Sequence, residues 1–295
     1  GMEAISGNRR TCDGTAAQHT HTSAAGTGTL APTLLFNALN TMPETPEAGP
    51  KPWPYPRWIA HRGAGTLAPE NTLAAFRLGA SHGYCMFECD AKFSADGVVF
   101  LLHDDTLERT TNGQGLGGAQ PWAALSRLDA GGWHSPAYAG EPLPTLEAVA
   151  RFCLANGRLL NIEIKPTTGL ARETGREVAQ EAARLWAQRP GAVPPLLTSF
   201  EPEALQGARE TQPGLPRGLL LETLWSGWLE TAIELGCQAV ICDQDLWEAG
   251  NVAQVHQAGL RTLAYTVNEA TSVQRLLALG IDGLITDRVD VFPPA

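Results

Sequence analysis

From Trp58 onward, short apolar runs alternate with stretches of helical periodicity, and this alternation limits the chain to very few folds. Candidate strands cover 58–63, 86–93, 98–103, 159–165, 195–200, 217–222, 239–243, 261–267 and 282–286. Candidate helices cover 71–82, 146–156, 170–188, 201–211, 228–235, 250–258 and 270–279. Gly83, Gly157, Gly236, Gly259 and Gly280 follow five of these helices, as helix C-termini favour. Strand after helix after strand implies a parallel sheet. Over this length it predicts an α/β fold of the (β/α)8 TIM-barrel kind.

Nine runs are one too many for such a barrel. Only Ser94-Ala95-Asp96-Gly97 separates the second run from the third, a turn too short for a parallel crossover. The third run therefore returns antiparallel beside the upper end of the second, which brings His103 close to Asp90. After this hairpin, residues about 104–142 have little periodicity and many glycines. They read as an inserted segment after the second strand, long enough to serve as a lid over the barrel mouth.

Residues 58–295 form the expected catalytic domain. Residues 1–57 are rich in Thr, Ala, Gly and Pro and read as a tail, with Gly1 as an expression scar and Met42 as an alternative natural start. Arg9-Arg10 lies too far from Leu34-Leu35-Phe36 to make a signal peptide with it. A hydrophobic content of 43% excludes a disordered chain. A formal net charge of -10 argues against nucleic acid or an anionic membrane as an obligate partner. Six cysteines without a CxxC pair suggest a reducing, cytoplasmic setting. No run of about 18 apolar residues is present to span a bilayer.

The chemistry gathers at strand ends, where barrel enzymes keep their active sites. His61 ends the first strand and His103 the third. Glu88 and Asp90 are two apart, so both face the barrel interior while Cys89 faces outward. Glu163 and Lys165 do the same further along. Paired acids inside a barrel repel each other unless a positive charge lies between them. Three carboxylates suit one hard divalent cation, Mg²⁺ or Ca²⁺. The alternative is a salt-bridge network with Lys165 and Arg62 and no metal. Two imidazoles beside these acids suit proton transfer; structural burial or zinc ligation are the alternatives.

Arg62 matches a phosphoryl oxygen, and Phe200 and Tyr265 would wall the substrate's carbon skeleton. In Pro69-Glu70-Asn71-Thr72, Asn71 or Thr72 caps the first helix, and Glu70 is placed to orient His61 or Arg62. The segment Asp282 to Asp287 reads as ordinary packing and capping.

Taken together, His61-Arg62-Gly63, Pro69-Glu70-Asn71-Thr72, Glu88-x-Asp90, Asp96-Gly97, His103-Asp104, Glu163-x-Lys165, Ser199-Phe200, Thr266-Val267-Asn268 and Thr286-Asp287 resemble the glycerophosphodiester phosphodiesterase family, bacterial cytosolic type. The resemblance runs from about residue 58 to 288. It implies a TIM barrel that hydrolyses small, deacylated phospholipids such as glycerophosphocholine to sn-glycerol 3-phosphate and an alcohol. It further implies Glu88, Asp90 and Glu163 as metal ligands, His61 and His103 as the acid–base pair, and Arg62 and Lys165 as phosphate contacts. Tyr265 departs from the tryptophan often found before Thr-Val-Asn, and Phe93-Ser94 from a Leu-Thr type pair.

In the expected mechanism His61 is the base and His103 the acid, and the nucleophile is water or, as favoured here, the glycerol 2-hydroxyl. One alternative is a phospholipase-D-like barrel acting on lysophospholipid or sphingomyelin, for which Leu116, Trp122, Trp133 and Tyr138 are the candidate apolar rim. A non-catalytic phosphate-binding module is the more distant one.

Overall fold

The computed structural model describes residues 53–294. Its strands are β1 (Trp58–Ala60), β2 (Met86–Phe93), β3 (Val99–Leu101), β4 (Leu159–Ile164), β5 (Leu196–Ser199), β6 (Arg217–Leu221), β7 (Ala239–Asp243), β8 (Arg261–Tyr265) and β9 (Gly283–Thr286). The helices are α1 (Leu73–Ser81), α2 (Trp122–Leu125), α3 (Leu146–Ala155), α4 (Ala171–Trp186), α5 (Pro202–Thr211), α6 (Trp228–Glu234), α7 (Ala249–Gln257) and α8 (Ala270–Ala278). Every neighbouring pair is parallel except β2–β3, and β1 pairs with both β9 and β2. The sheet therefore closes as a TIM barrel of eight parallel strands, with β3 outside the ring as the returning arm of a hairpin.

Side-chain alternation sorts two cores. Ile59, Met86, Leu196, Leu220, Ile241, Leu263 and Ile285 pack inside the ring. The alternate residues, among them Phe87, Cys89, Ile162 and Ile164, face the helices and pack against Phe76, Val149 and Val178. Full burial of each such side chain is worth about 1.5–3 kcal/mol. Cys89, Cys153, Cys237 and Cys242 are free and buried as small apolar groups; Cys12 lies outside the described residues.

Several boundaries differ from expectation by one to five residues, and three of these differences have a clear local reason. β1 stops at Ala60 rather than 63 because Arg62 and Gly63 take positive φ, 50° and 100°. α1 starts at Leu73 rather than 71, since Asn71 is also left-handed (φ 60°) and Thr72 caps the helix by accepting from Ala75 N. Residues before 58 also belong to the barrel core. Tyr55 is buried in the ring's interior core, and its hydroxyl donates to Pro194 O at 2.9 Å. The remainder of the expected tail lies outside the described residues.

The insert after β3 is neither structureless nor a lid. It holds α2, the bridges Thr106–Leu116 and Asp129–Pro142, and a small core in which Leu107, Leu125, Ala130 and Leu143 pack on Phe100 and Leu102. Among the described residues of the insert, only Asp104 and Asp105 line the two cavities at the barrel mouth. The segment buries its apolar face against the hairpin and so flanks the mouth. Of the four apolar rim candidates, Leu116 and Trp133 are exposed, whereas Trp122 packs on Phe100 and Tyr138 on His134. Trp225 is exposed, and Trp228 packs against the outer core. No helix among the described residues is long and apolar enough to cross a membrane.

Candidate active site

Strand register brings the expected residues together. Asp90 lies opposite Glu163 across the β2–β4 pair, and Glu88 opposite Asn161. One carboxylate oxygen from each of Glu88, Asp90 and Glu163 lies within 4.8 Å of the others. Glu88 Oε1 and Asp90 Oδ1 are buried without a hydrogen-bond partner, and Glu163 Oε1 has only its ion pair with Lys165 Nζ at 3.1 Å. Burial, and then repulsion from Asp90 and Glu163, push the Glu88 carboxyl well above the usual range. Burial and Asp90 raise Glu163 to about 7. Burial also works against charge on Asp90, but Arg62, His103 and Lys165 outweigh it and hold that carboxyl low. Three converging acids with bare oxygens are a suitable seat for a hard divalent cation.

The two imidazoles flank this cluster in similar fashion. His61 Nδ1 donates to Asp287 Oδ1 at 2.6 Å, and His103 Nδ1 to Asp104 Oδ1 at 2.7 Å. Each bond to a carboxylate places the ring's proton on Nδ1 and leaves Nε2 for chemistry. His61 Nε2 lies 3.8 Å from Glu88 Oε2, and His103 Nε2 lies 3.4 Å from Lys165 Nζ. Burial lowers the basicity of His103. Asp287 is itself held, its Oδ2 accepting from Asn268 Nδ2 at 2.9 Å.

The loop from His61 to Thr72 ties these groups to the ring. Arg62 N donates to Glu88 Oε2 at 3.0 Å and its Nη1 to Glu70 Oε1 at 2.9 Å, while Nε lies 3.3 Å from Asp90 Oδ2. Glu70 thus orients Arg62, one of the two partners expected for it. Asn71 does more than precede a cap, because its side chain holds Asp90 through two hydrogen bonds. Gly65 is needed where it stands: at φ +57° an added Cβ would lie 2.1 Å from Asp287 O.

A cavity of about 150 Å³ lies among these groups, lined by His61, Arg62, Glu88, His103, Glu163, Phe200 and Tyr265. The rings of Phe200 and Tyr265 meet edge to face at 5.7 Å, and Lys165 Nζ lies 5.7 Å above Phe200. A wider cavity of about 550 Å³ opens beside it, bordered by His103, Lys165, Thr167 and Phe200. All nine residues singled out in the sequence therefore converge at one end of the barrel. Asn71, Asp104 and Asp287 stand in the family motifs, with no site role assigned from the sequence, and Arg109 has no sequence signal at all.

Carboxylates placed for a cation, beside two oriented imidazoles at the C-terminal mouth of a TIM barrel, define a class of hydrolase built for anionic esters. Comparison narrows the class. Residues 61–291 match the model of the Glycerophosphoryl diester phosphodiesterase family, and the chain belongs to that family. It is accordingly a phosphodiesterase. A glycerophosphodiester phosphodiesterase of Bacillus subtilis (strain 168) is 32% identical over 252 residues, covering 79% of this chain and 84% of its own. Among solved structures, an Oleispira antarctica phosphodiesterase in complex with the product sn-glycerol-3-phosphate is 35% identical with a TM-score of 0.73, covering 79% of this chain and 93% of its own. A glycerophosphodiester phosphodiesterase from Agrobacterium tumefaciens is 29% identical with a TM-score of 0.68, covering 82% of this chain and 100% of its own.

Proposed function

We propose that the chain hydrolyses small glycerophosphodiesters, such as glycerophosphocholine, to sn-glycerol 3-phosphate and an alcohol, with one divalent cation, Mg²⁺ or Ca²⁺, on Glu88, Asp90 and Glu163. The observation that carries this reading is the cluster of buried carboxylate oxygens without hydrogen-bond partners, two of whose residues, Glu88 and Glu163, line a cavity shared with both imidazoles. When bound, the cation would offset charge on the phosphodiester and on its transition state.

Lys165 and Arg62 supply the remaining positive charge and orient the phosphoryl oxygens. His61 takes the proton of the nucleophile at Nε2, and His103 gives one to the departing alcohol. Such acid assistance is worth about 10²–10⁴-fold. His103 borders both cavities whereas His61 borders only the inner one, which supports release of the alcohol on the His103 side. The nucleophile in this reading is the glycerol 2-hydroxyl, whose proximity favours attack; the cyclic phosphate left when the alcohol departs is then opened by water, the 2-oxygen regaining a proton, to give sn-glycerol 3-phosphate. Failure to trap a cyclic phosphate by rapid quench at normal turnover would return that role to water. Phe200 and Tyr265 wall the carbon skeleton.

The partner is a small molecule rather than nucleic acid or a membrane surface, in keeping with the net charge of -10. Four free, buried cysteines support cytoplasmic placement, the disulfide-bonded Cys85 opposes it, and cell fractionation tests it.

The deciding experiment measures glycerol 3-phosphate release from glycerophosphocholine and glycerophosphoethanolamine after chelation, then with Mg²⁺, Ca²⁺ or Zn²⁺ restored. Release restored by a hard cation is expected. No release with any metal, from folded protein, would overturn the reading.

A further inference from the structure

One side chain of the insert connects the two halves of the site. Arg109 Nε donates to Asp104 Oδ2 at 2.6 Å and Nη2 to Asp104 Oδ1 at 2.9 Å. The same guanidinium bonds Glu70, through Nη1 to Oε2 at 2.9 Å and Nη2 to Oε1 at 2.8 Å. Asp104 Oδ1 is also the oxygen that receives His103 Nδ1, and Glu70 Oε1 the one that receives Arg62 Nη1. An unbroken chain of charged contacts thus runs Arg62, Glu70, Arg109, Asp104, His103.

The insert fixes Arg109 in turn. Leu107 is buried in the insert's own core, and both the backbone N and the Oγ1 of Thr111 donate to Leu107 O. The tight turn this makes carries Arg109. The fold thereby gives the segment a reason to be ordered, although only its Asp104 and Asp105 border the cavities at the mouth.

From this geometry we infer that Arg109 is a positioning residue of the catalytic site: its fork locks the Asp104 carboxylate, and through it the His103 imidazole, in register with the phosphate-side pair Arg62–Glu70. Two parallel N–H bonds fix the plane of a carboxylate where one would leave it free to rotate. Asp104 immediately follows His103, so rotation of its side chain would release Nδ1 and let the ring turn Nε2 away from the cavity. Burial of the imidazole does not replace this lock, because the His103 side chain is still 31% exposed. Hydrogen bonds from Arg109 outweigh the opposing effect of burial and, with the bond from His103, hold Asp104 far below the usual carboxylate range and so ionised.

The inference rests on the proposed role of His103 as proton donor, and the test separates the two. Wild-type protein is assayed on glycerophosphoethanolamine, whose alkoxide needs a proton to leave, and on the p-nitrophenyl ester of glycerol phosphate, whose phenolate does not. Arg109→Gln is expected to lose about 10–100-fold in kcat on the first substrate, the usual cost of removing a group that orients a catalytic ligand. On the second it should lose less than about 3-fold, with KM little changed on either. His103→Ala sets the largest substrate-dependent loss attainable. Arg109→Lys should recover little, since an ammonium cannot span both carboxylates.

Equal losses on both substrates would mean that Arg109 acts only through Glu70 and Arg62 or merely anchors the insert, and would overturn the inference. Wild-type rates in Arg109→Gln would do the same. Should Arg109→Gln fail to fold, Asp104→Asn, which keeps the side chain's size but loses the fork, must show the same substrate dependence. Failure of the wild-type protein on both substrates would instead count against the proposed function.

Discussion

Asn71 holds Asp90 from two directions: its Nδ2 donates to Asp90 Oδ2 at 2.7 Å, and its Oδ1 accepts from Asp90 N at 3.0 Å. The side-chain bond occupies Oδ2 and leaves Oδ1 without a hydrogen-bond partner, in a carboxylate clustered with those of Glu88 and Glu163. Asn71 does this from a left-handed backbone, which Asn tolerates better than most residues. The strain sits where the site needs a side chain aimed.

Asn71→Ala should therefore cost about 1–3 kcal/mol of stability, through lost buried hydrogen bonds. It should also weaken cation binding by about 10–100-fold. Asn71→Gly relieves the backbone but not the site, so it should recover part of the stability and none of the affinity. Denaturant melts and cation titrations of both variants check this.

Cation binding should release protons. With Glu163 raised to about 7, that carboxyl is largely protonated at pH 6, and a cation must displace the proton. Affinity should rise with pH through about 7 and level off above it. Calorimetry in two buffers of different ionisation enthalpy measures the proton count, and a pH-independent affinity from 6 to 8.5 would refute the expectation. The linked stability has a definite sign. A folded-state pKa above the unfolded value of about 4.3 means that, without cation, this group's contribution is present below that value and is lost as pH rises through about 7. Bound cation should reverse that loss.

Removing either imidazole should sharply reduce turnover without unfolding the chain. His61→Ala and His103→Ala are each expected to lose about 10²–10⁴-fold in kcat, with far-ultraviolet circular dichroism unchanged. A variant that kept the wild-type rate would remove that histidine from the mechanism.

Asp287→Asn should lower kcat by about 10–100-fold with little change in KM, because the amide can present its N–H to Nδ1 and reverse the tautomer of His61. A matching loss of thermal stability would point instead to a packing role, so melting curves accompany the kinetics.

Gly65→Ala should damage fold and activity together. The added methyl meets the Asp287 backbone at 2.1–2.2 Å, and the positive φ adds strain. Overpacking of this kind costs about 1–3 kcal/mol. Urea denaturation should show it, and a variant as stable as wild type would mean the loop can move away from Asp287.

Much of the site was legible in the chain because it depends on local geometry. Period-two alternation is enough to aim Glu88, Asp90, Glu163 and Lys165 into one space once their strands are placed. A four-residue turn is enough to return His103 to Asp90, and the β2–β3 register, with Leu102 N donating to Asp90 O, agrees with that reading. The C-terminal end of β1 and the start of α1 are not legible in the sequence because apolar pattern carries no information about the left-handed residues Arg62 and Asn71.

By itself, then, the sequence determined the barrel, its hairpin and the residues whose directions follow from strand alternation. Only the tertiary structure decided which groups hold them. His61 and Asp287 are 226 residues apart, and they meet because β1 closes the ring against β9 with Ala60 opposite Thr286. Arg109 reaches Glu70 and Asp104 because the insert folds on its own small core beside the hairpin. Such partnerships are set by closure and docking, which act between distant segments and leave no periodic trace in either one.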